Sequence, residues 1–450
     1  MPSRSPSGIL RGFLNPEASS LIRGSRLFQR FSDFNRGFLQ PLVLEKIYAA
    51  GKAFLFALLF SCIFIPRFPV GSVTPFYQVD LRIEDLLLFL IGVFTLLSMT
   101  DKSPQTELPR SEKAFLWFLL ACEVSILNGI FFRTIDKPLL SFLYLLKWVE
   151  YFLVFLATAR FARAPKDSAF FLQTFFLLGI VVAGYGWWEH FFPSAKAVYP
   201  NYYRLFERPP FHGDANHIGG FLVLWFGFFT GRFLKTENSG KSSLLFAALV
   251  FVLFPFIWTY SRKSYFALAG AFAFAFLFPG NRKRLTFLTS SFILLALLLP
   301  TRFSERLNDL GEAFTSTDPF HSSWAGNWVM WKQSLWNFDK FFIFGSGLGS
   351  RHRLFYESQY ILTLAETGIL GALAFLLLGV TLVRETFSFA LQSSDTNARG
   401  IALGWLIGFA GLLIHNASCV TWTVSKAAIP FWFLTAAVLA SLKQTGLAEK

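Results

Sequence analysis

The chain has 450 residues, of which 54% are hydrophobic and 59 are phenylalanine, and a mean hydropathy of +0.49. A water-soluble fold cannot hide that much apolar surface, so composition excludes a soluble enzyme and defines an integral membrane protein. The formal net charge of +14 falls largely in short turns between apolar runs. It marks topology and contact with anionic headgroups rather than nucleic acid, for which no basic, aromatic-studded soluble module exists.

Residues 1–48 form a basic N-terminal segment whose "GSRLFQRFSDFNRGFLQ" suits an interfacial helix on the inner leaflet. It lacks the pattern of a cleavable signal peptide, because the basic region is long and no small-residue site follows an early apolar run. About twelve apolar runs long enough to cross roughly 30 Å of hydrocarbon follow. They lie at 49–65, 83–99, 114–132, 139–160, 169–192, 215–234, 243–260, 264–279, 285–300, 358–383, 400–418 and 427–442. The expected fold class is therefore all-α, a polytopic transmembrane helix bundle. Dense positive charge in turns such as "GNRKRL" and "ARFARAPKD" puts those turns, and both termini, in the cytoplasm. The resulting organisation is segment 1–48, spans 1–9 within 49–300, a large outer (periplasmic) loop at 301–356, spans 10–12 within 357–442, and a cytoplasmic tail at 443–450.

Cys62, Cys122 and Cys419 all fall in apolar runs, which argues against a disulfide framework or a metal site. Lys147 and Glu150 lie three residues apart inside a span, where each neutralises the other.

Polar residues concentrate on the expected outer face. "YYRLFERPPFHGDANHIGGFL" crowds Arg204, Arg208, His212, Asp214, Asn216 and His217 before a new helix, and a helix N-terminus beside cations attracts anions. In "TYSRKSYFALAGA", Arg262 and Lys263 join two spans with almost no loop, which suggests an electropositive floor for an acidic headgroup. Within 301–356, Trp324, Trp328, Trp331 and Leu335 recur at helical spacing and paint one face of a short interfacial helix. "GSGLGS" at 345–350 lacks the strand and helix of a βαβ unit, so it reads as a turn that lets backbone approach closely rather than as a nucleotide loop.

"ESQYILTLAETGILG" carries two carboxylates. Glu357 opens the helix at the aqueous face beside apolar surface and the turn holding Arg353, a position suited to a general base. Gln359, Thr363 and Glu366 form a stripe on another face, so Glu366 is expected to be a buried structural partner.

"RPPFHGDANHIGGFL", "TYSRKSYFALAGA", "GNWVMWKQSL" through "FGSGLGS", and "ESQYILTLAETGILG", in this order and spacing, resemble the O-antigen ligase and O-antigen polymerase superfamily of bacterial membrane glycosyltransferases. The resemblance implies saccharide transfer from an undecaprenyl-diphosphate-linked oligosaccharide to an acceptor glycan or glycolipid, on the outer face of the inner membrane. It implies no metal and no other cofactor, and membrane lipids as the surroundings. By position it matches Arg208 and Arg262 to family arginines that hold the lipid diphosphate; the residues' own chemistry adds Glu357 as the catalytic base, with Lys263, His212, Asn216, Asn327, Trp331 and Arg353 on substrate.

Glu357–Ser358 stands where ligases of this family usually carry His-Asn, and Asn327 where they commonly carry Arg. Both departures favour a polymerase-like or divergent member, so polymerisation is the expected reaction, with ligation to lipid A-core as the alternative. A flippase or secondary transporter is the rival from another class, but transporters favour midplane sites on broken helices and internal repeats, neither of which is apparent. A ten-helix peptidoglycan-type glycosyltransferase is a further enzyme alternative.

Overall fold

The computed structural model describes residues 41–65, 68–74, 77–101, 110–192, 204–207, 215–278, 280–298, 328–329, 331–333, 340–350 and 357–448. Its helices are α1 (Pro41–Phe64), α2 (Ile83–Ser98), α3 (Arg110–Phe131), α4 (Pro138–Phe161), α5 (Pro165–Phe191), α6 (Ala215–Lys235), α7 (Ser239–Trp258), α8 (Arg262–Ala275), α9 (Arg282–Leu297), α10 (Gln359–Gln392), α11 (Thr396–Asn416) and α12 (Ser425–Ala448). Each expected span coincides with one of them. The bundle is helical and multi-pass, and nine of these helices are long and apolar enough to cross a membrane. The other three, α2, α8 and α9, have 16, 14 and 16 residues. At 1.5 Å per residue they fall short of a bilayer core, so the expected spans 2, 8 and 9 are shorter than a full crossing.

Two further features depart from expectation. Helix α1 starts at Pro41, earlier than 49, with proline at the first position, where its missing N–H costs no hydrogen bond. Between α1 and α2, β1 (Phe68–Thr74) and β2 (Tyr77–Leu81) pair as an antiparallel hairpin. The interfacial helix expected within 1–48 falls mostly outside the described residues.

Helices α6, α11 and α12 are buried along most of their length and form the centre of the bundle. Glycine sets the closest approach. A Cβ added at Gly227 would lie 2.3 Å from Gly408 Cα, and one at Gly404 would lie 2.1 Å from the Phe228 carbonyl oxygen. Gly227 and Gly231 on α6 thus mesh with Gly404 and Gly408 on α11, the small-residue packing that lets membrane helices touch through their backbones. Trp405 fills the space beyond and donates its indole N–H to Thr435 on α12 at 3.0 Å.

Several charges inside the bundle are paired. Lys147 meets Glu150 at 2.6 Å and Asp85 at 3.3 Å, as the i, i+3 spacing implied, and Lys52 meets Asp167 at 2.7 Å. Cys62, Cys122 and Cys419 are buried free thiols.

Helix α10 is broken. Gly368, at φ 64° and ψ −167°, interrupts it, and residues 341–350 wedge against the gap. Ser346 and Gly347 donate their N–H groups to the carbonyls of Ala365 (3.0 Å) and Glu366 (2.9 Å). On the far side, the N–H groups of Ile369 and Leu370 donate to the carbonyls of Phe342 and Ile343 at 2.9 and 3.1 Å. The expectation of no broken helix is therefore wrong at this position. The glycine-rich loop serves close backbone approach, as read: Gly345, Gly347 and Gly349 all have positive φ, and a Cβ at Gly345 would lie 2.2 Å from the Glu366 carbonyl oxygen.

Candidate functional site

The starts of α6, α8 and α10, the end of α11 and the turn before α12 meet at one end of the bundle. Ser261 caps α8, accepting from the Ser264 N–H, and Ser358 caps α10, accepting from the Ile361 N–H. These caps place Arg262 and Lys263 on the first turn of α8, and Glu357 immediately before α10. The Lys263 ammonium forms an ion pair with the Glu357 carboxylate. Lys263 is mostly buried, with 19% of its side chain exposed, whereas Glu357 is 44% exposed. Glu357 therefore sits in an accessible ion pair rather than against the apolar surface expected for it. Arg262 is half-buried next to this pair.

Behind the pair lies a polar layer. Arg204 is ion-paired to Glu207 at 2.8 Å and donates to the Thr259 carbonyl at 2.9 Å and to Asn216 Oδ1 at 3.1 Å. Its charge is committed to holding the fold, so the cationic cluster read in the sequence loses this member as a ligand. Asn216 Oδ1 also accepts from the Ser261 hydroxyl at 2.9 Å, which ties α6 to the cap of α8. Ser264 contacts Ser261 at 2.8 Å and His415 Nε2 at 3.2 Å, and His415 Nδ1 contacts Thr421 at 2.7 Å. The turn after α11 docks on α10, because the Gln359 N–H donates to the Cys419 carbonyl at 3.1 Å. Burial raises the Cys419 thiol pKa, but the charge and hydrogen bond of His217, together with Lys263, outweigh it and bring the thiol below its ordinary value.

Glu366 is buried, as expected, and its carboxylate accepts from the Gly349 N–H at 3.0 Å. Its partner is the glycine-rich loop. Ser125 on α3 also donates to the Glu366 carbonyl at 2.5 Å, and Gln359 and Thr363 bond to each other at 3.3 Å. Residues 328–329 and 331–333 are helical; Trp328 and Trp331 meet edge-on at 6.4 Å, and Lys332 lies over the Trp328 ring.

Of the residues singled out from the sequence, Lys263, Glu357, Arg262 and Asn216 come together at this end of the bundle, and Trp331 lies on the helical segment just described. Arg208, His212, Asn327 and Arg353 lie outside the described residues. His415 and Thr421 were missed. The only signal for them is a polar run, "HNASCVTWT", closing an apolar segment.

A multi-pass helical membrane protein that displays a lysine–carboxylate pair at the mouth of its bundle is the class defined by fold and site. Residues 247–376 match the family model for O-antigen ligase. That stretch contains both members of the Lys263–Glu357 pair and the break at Gly368. The match supports the O-antigen ligase and polymerase superfamily, and with it a membrane enzyme of that type acting on a lipid-linked glycan and an acceptor. No curated protein matches the chain.

Proposed function

We propose that this protein is a metal-independent, inverting glycosyltransferase on the outer face of the bacterial inner membrane. It elongates a polysaccharide from an undecaprenyl-diphosphate-linked oligosaccharide. The observation that carries the reading is the Lys263–Glu357 ion pair at the meeting of two helix starts. It sets a carboxylate beside the cations that a diphosphate needs.

In the reaction, the Glu357 carboxylate takes the proton of the acceptor hydroxyl, and that oxygen attacks the anomeric carbon from the side opposite the carrier. The bond from the anomeric carbon to the phosphate oxygen breaks, and its electron pair stays on the diphosphate. Arg262 and Lys263, with Arg208, meet the charge that grows there. A single displacement inverts the anomeric centre. Lys263 orients the carboxylate, and the two helix starts add favourable dipoles for the leaving group. Glu357 in place of the histidine usual in ligases supports polymerisation over ligation.

The break in α10 does not favour a transporter. In a transporter the freed backbone groups of a broken helix bind substrate, whereas here residues 341–350 occupy those of Ala365, Glu366, Ile369 and Leu370.

The test is purified protein with a polyprenyl-diphosphate oligosaccharide and candidate acceptors, products being read by mass spectrometry. Longer carrier-linked glycan is the expected result, and glycan moved to a glycolipid would mean ligation. Intact carrier lipid crossing a vesicle bilayer without transfer would reject the reading.

A further inference from the structure

We propose that His415 is a positioning residue for the Lys263–Glu357 pair, held as the neutral tautomer protonated on Nε2 by a one-way hydrogen-bond chain that runs from Thr421 to the Asn216 oxygen, which Arg204 fixes as an acceptor from the other side. The proposal rests on the glycosyl-transfer reading only for its consequence; the chain itself follows from hydrogen-bond chemistry.

Arg204 only donates, so the Asn216 atom it meets at 3.1 Å is the carbonyl oxygen, an acceptor. Ser261 reaches that same oxygen at 2.9 Å and must spend its one hydroxyl proton there. Ser264, 2.8 Å from Ser261, must then supply the proton between the two hydroxyls. With its proton used, Ser264 faces His415 Nε2 at 3.2 Å only as an acceptor, so Nε2 carries a hydrogen. If the proton sat on Nδ1 instead, Ser264 would have to turn its hydroxyl to Nε2. That would leave two oxygens 2.8 Å apart with no proton between them. Nδ1 is therefore the acceptor, and Thr421 donates to it at 2.7 Å. Every proton in the row points the same way, from Thr421 toward Asn216.

Space reinforces direction. Ser261, Ser264, His415 and Thr421 are each at most 1% exposed. A Cβ added to Gly219 would lie 2.2 Å from Ser264 Oγ, and one added to Gly220 would lie 3.0 Å from His415 Cε1 and 2.9 Å from Thr421 Cγ2. Two consecutive glycines on α6 thus make room for the chain, and the hydrogen bonds at both ring nitrogens hold the ring's orientation.

The two ends of the imidazole hold different parts of the site. Through Ser264, Nε2 fixes the first turn of α8, which carries Lys263. Through Thr421, Nδ1 fixes the turn whose Cys419 carbonyl receives the Gln359 N–H at the start of α10, beside Glu357. Asn416 secures the same turn by accepting the Thr421 N–H at 3.0 Å. His415 touches neither Lys263 nor Glu357 in this scheme; it sets the distance between their supports.

The experiment has two arms on the full-length protein. In the first, solid-state NMR of the 15N-histidine-labelled protein in bilayers reads the tautomer, with His415 assigned by the perturbation that T421V and S264A each cause. The expected signal is a neutral ring protonated on Nε2. A ring protonated on Nδ1, or on both nitrogens, at neutral pH would overturn the chain.

The second arm compares transfer kinetics. H415Q keeps an N–H near the Nε2 position, and H415N does not. H415N is expected to lower kcat by about 10²-fold, the cost of a misplacement near 1 Å, with the KM for the polyprenyl-diphosphate donor little changed. H415Q should recover part of that loss. Wild-type kcat in H415N, or equal loss in both variants together with a raised KM, would overturn the positioning role. A wild-type protein that shows the Nε2–H signal yet transfers no saccharide would instead overturn the functional reading and leave the chain standing.

Discussion

The ammonium of Lys263, on the first turn of α8, pairs with the carboxylate of Glu357, which lies 94 residues later and immediately precedes α10. Neither residue belongs to a catalytic sequence motif by itself. Their juxtaposition supplies a proton acceptor and a cation within one contact, at a partly open mouth of the bundle.

Replacing Glu357 by glutamine removes the proton acceptor while nearly preserving shape. Turnover is expected to fall about 10²- to 10⁴-fold, the usual contribution of a general base, with donor binding near normal. Single-turnover transfer and equilibrium binding of the lipid donor, measured separately, check this. Near-normal turnover in E357Q would move the base elsewhere.

Arg262→Ala is expected to weaken transfer by about 1.5 to 3 kcal/mol, the worth of a charge-assisted contact to a diphosphate, with expression intact. Lysine at the same position should recover only part, because a point charge does not reproduce a bidentate fork. Arg208→Ala should behave similarly. The readout is kcat/KM at several donor concentrations, and full activity in either alanine variant would place the anion site elsewhere.

The break in α10 makes a stability prediction independent of function. Gly368 lies in a region of backbone space that is essentially reserved for glycine, and a Cβ there would meet the Ile343 carbonyl oxygen at 2.4 Å. Gly368→Ala is expected to cost at least about 1 to 3 kcal/mol, visible as a lower melting temperature and less monodisperse protein in detergent. Gly184→Ala is the control, because nothing lies within 4 Å of its added methyl. Equal stability of the two variants would contradict the break.

Glu366 accepts a backbone N–H from the glycine-rich loop, so the carbonyl oxygen of a glutamine can take over that bond and leucine cannot. Glu366→Leu should lose about 1 to 3 kcal/mol by leaving a buried donor unpaired, whereas Glu366→Gln should lose much less. Thermal unfolding of both variants tests the ordering. A variant that folds and binds donor but is catalytically dead would instead place Glu366 in the chemistry.

Reporter fusions test the proposed orientation. The Lys263 end of α8 meets Glu357, while Arg284, at the start of α9, donates to the Thr236 carbonyl at 2.7 Å, beyond the last turn of α6. Fusions at 281–284 are expected to report cytoplasm, and fusions within 301–356 the periplasm, following the positive-inside bias. A periplasmic signal at 281–284 would invert the bundle and remove the proposed site with it.

The sequence alone determined the helices. Long apolar runs satisfy most of their backbone internally once water is gone, so every expected span is helical, with the one interruption in α10 at Gly368. Sequence likewise marked Glu357, Lys263 and Arg262, because two cations crowd a junction with almost no loop and a carboxylate opens the span that follows the large outer segment. It foretold the Lys147–Glu150 pair, since a spacing of three is a local contact. What only the tertiary structure decided depends on groups that are far apart in the chain. Breaking α10 at Gly368 frees backbone groups, and that is tolerable only because residues 341–350 arrive to bond them. The loop itself read as a turn, and its destination was invisible. The hairpin at 68–81 was overlooked because an alternating pattern of only a few residues is a weak signal beside long apolar runs. The mesh of Gly227 and Gly231 with Gly404 and Gly408, the commitment of Arg204 to Glu207 and Asn216, and the row from Arg204 to Thr421 are all matters of partnership. A sequence shows which residues need partners inside a membrane; the packing of helices decides which partners they obtain.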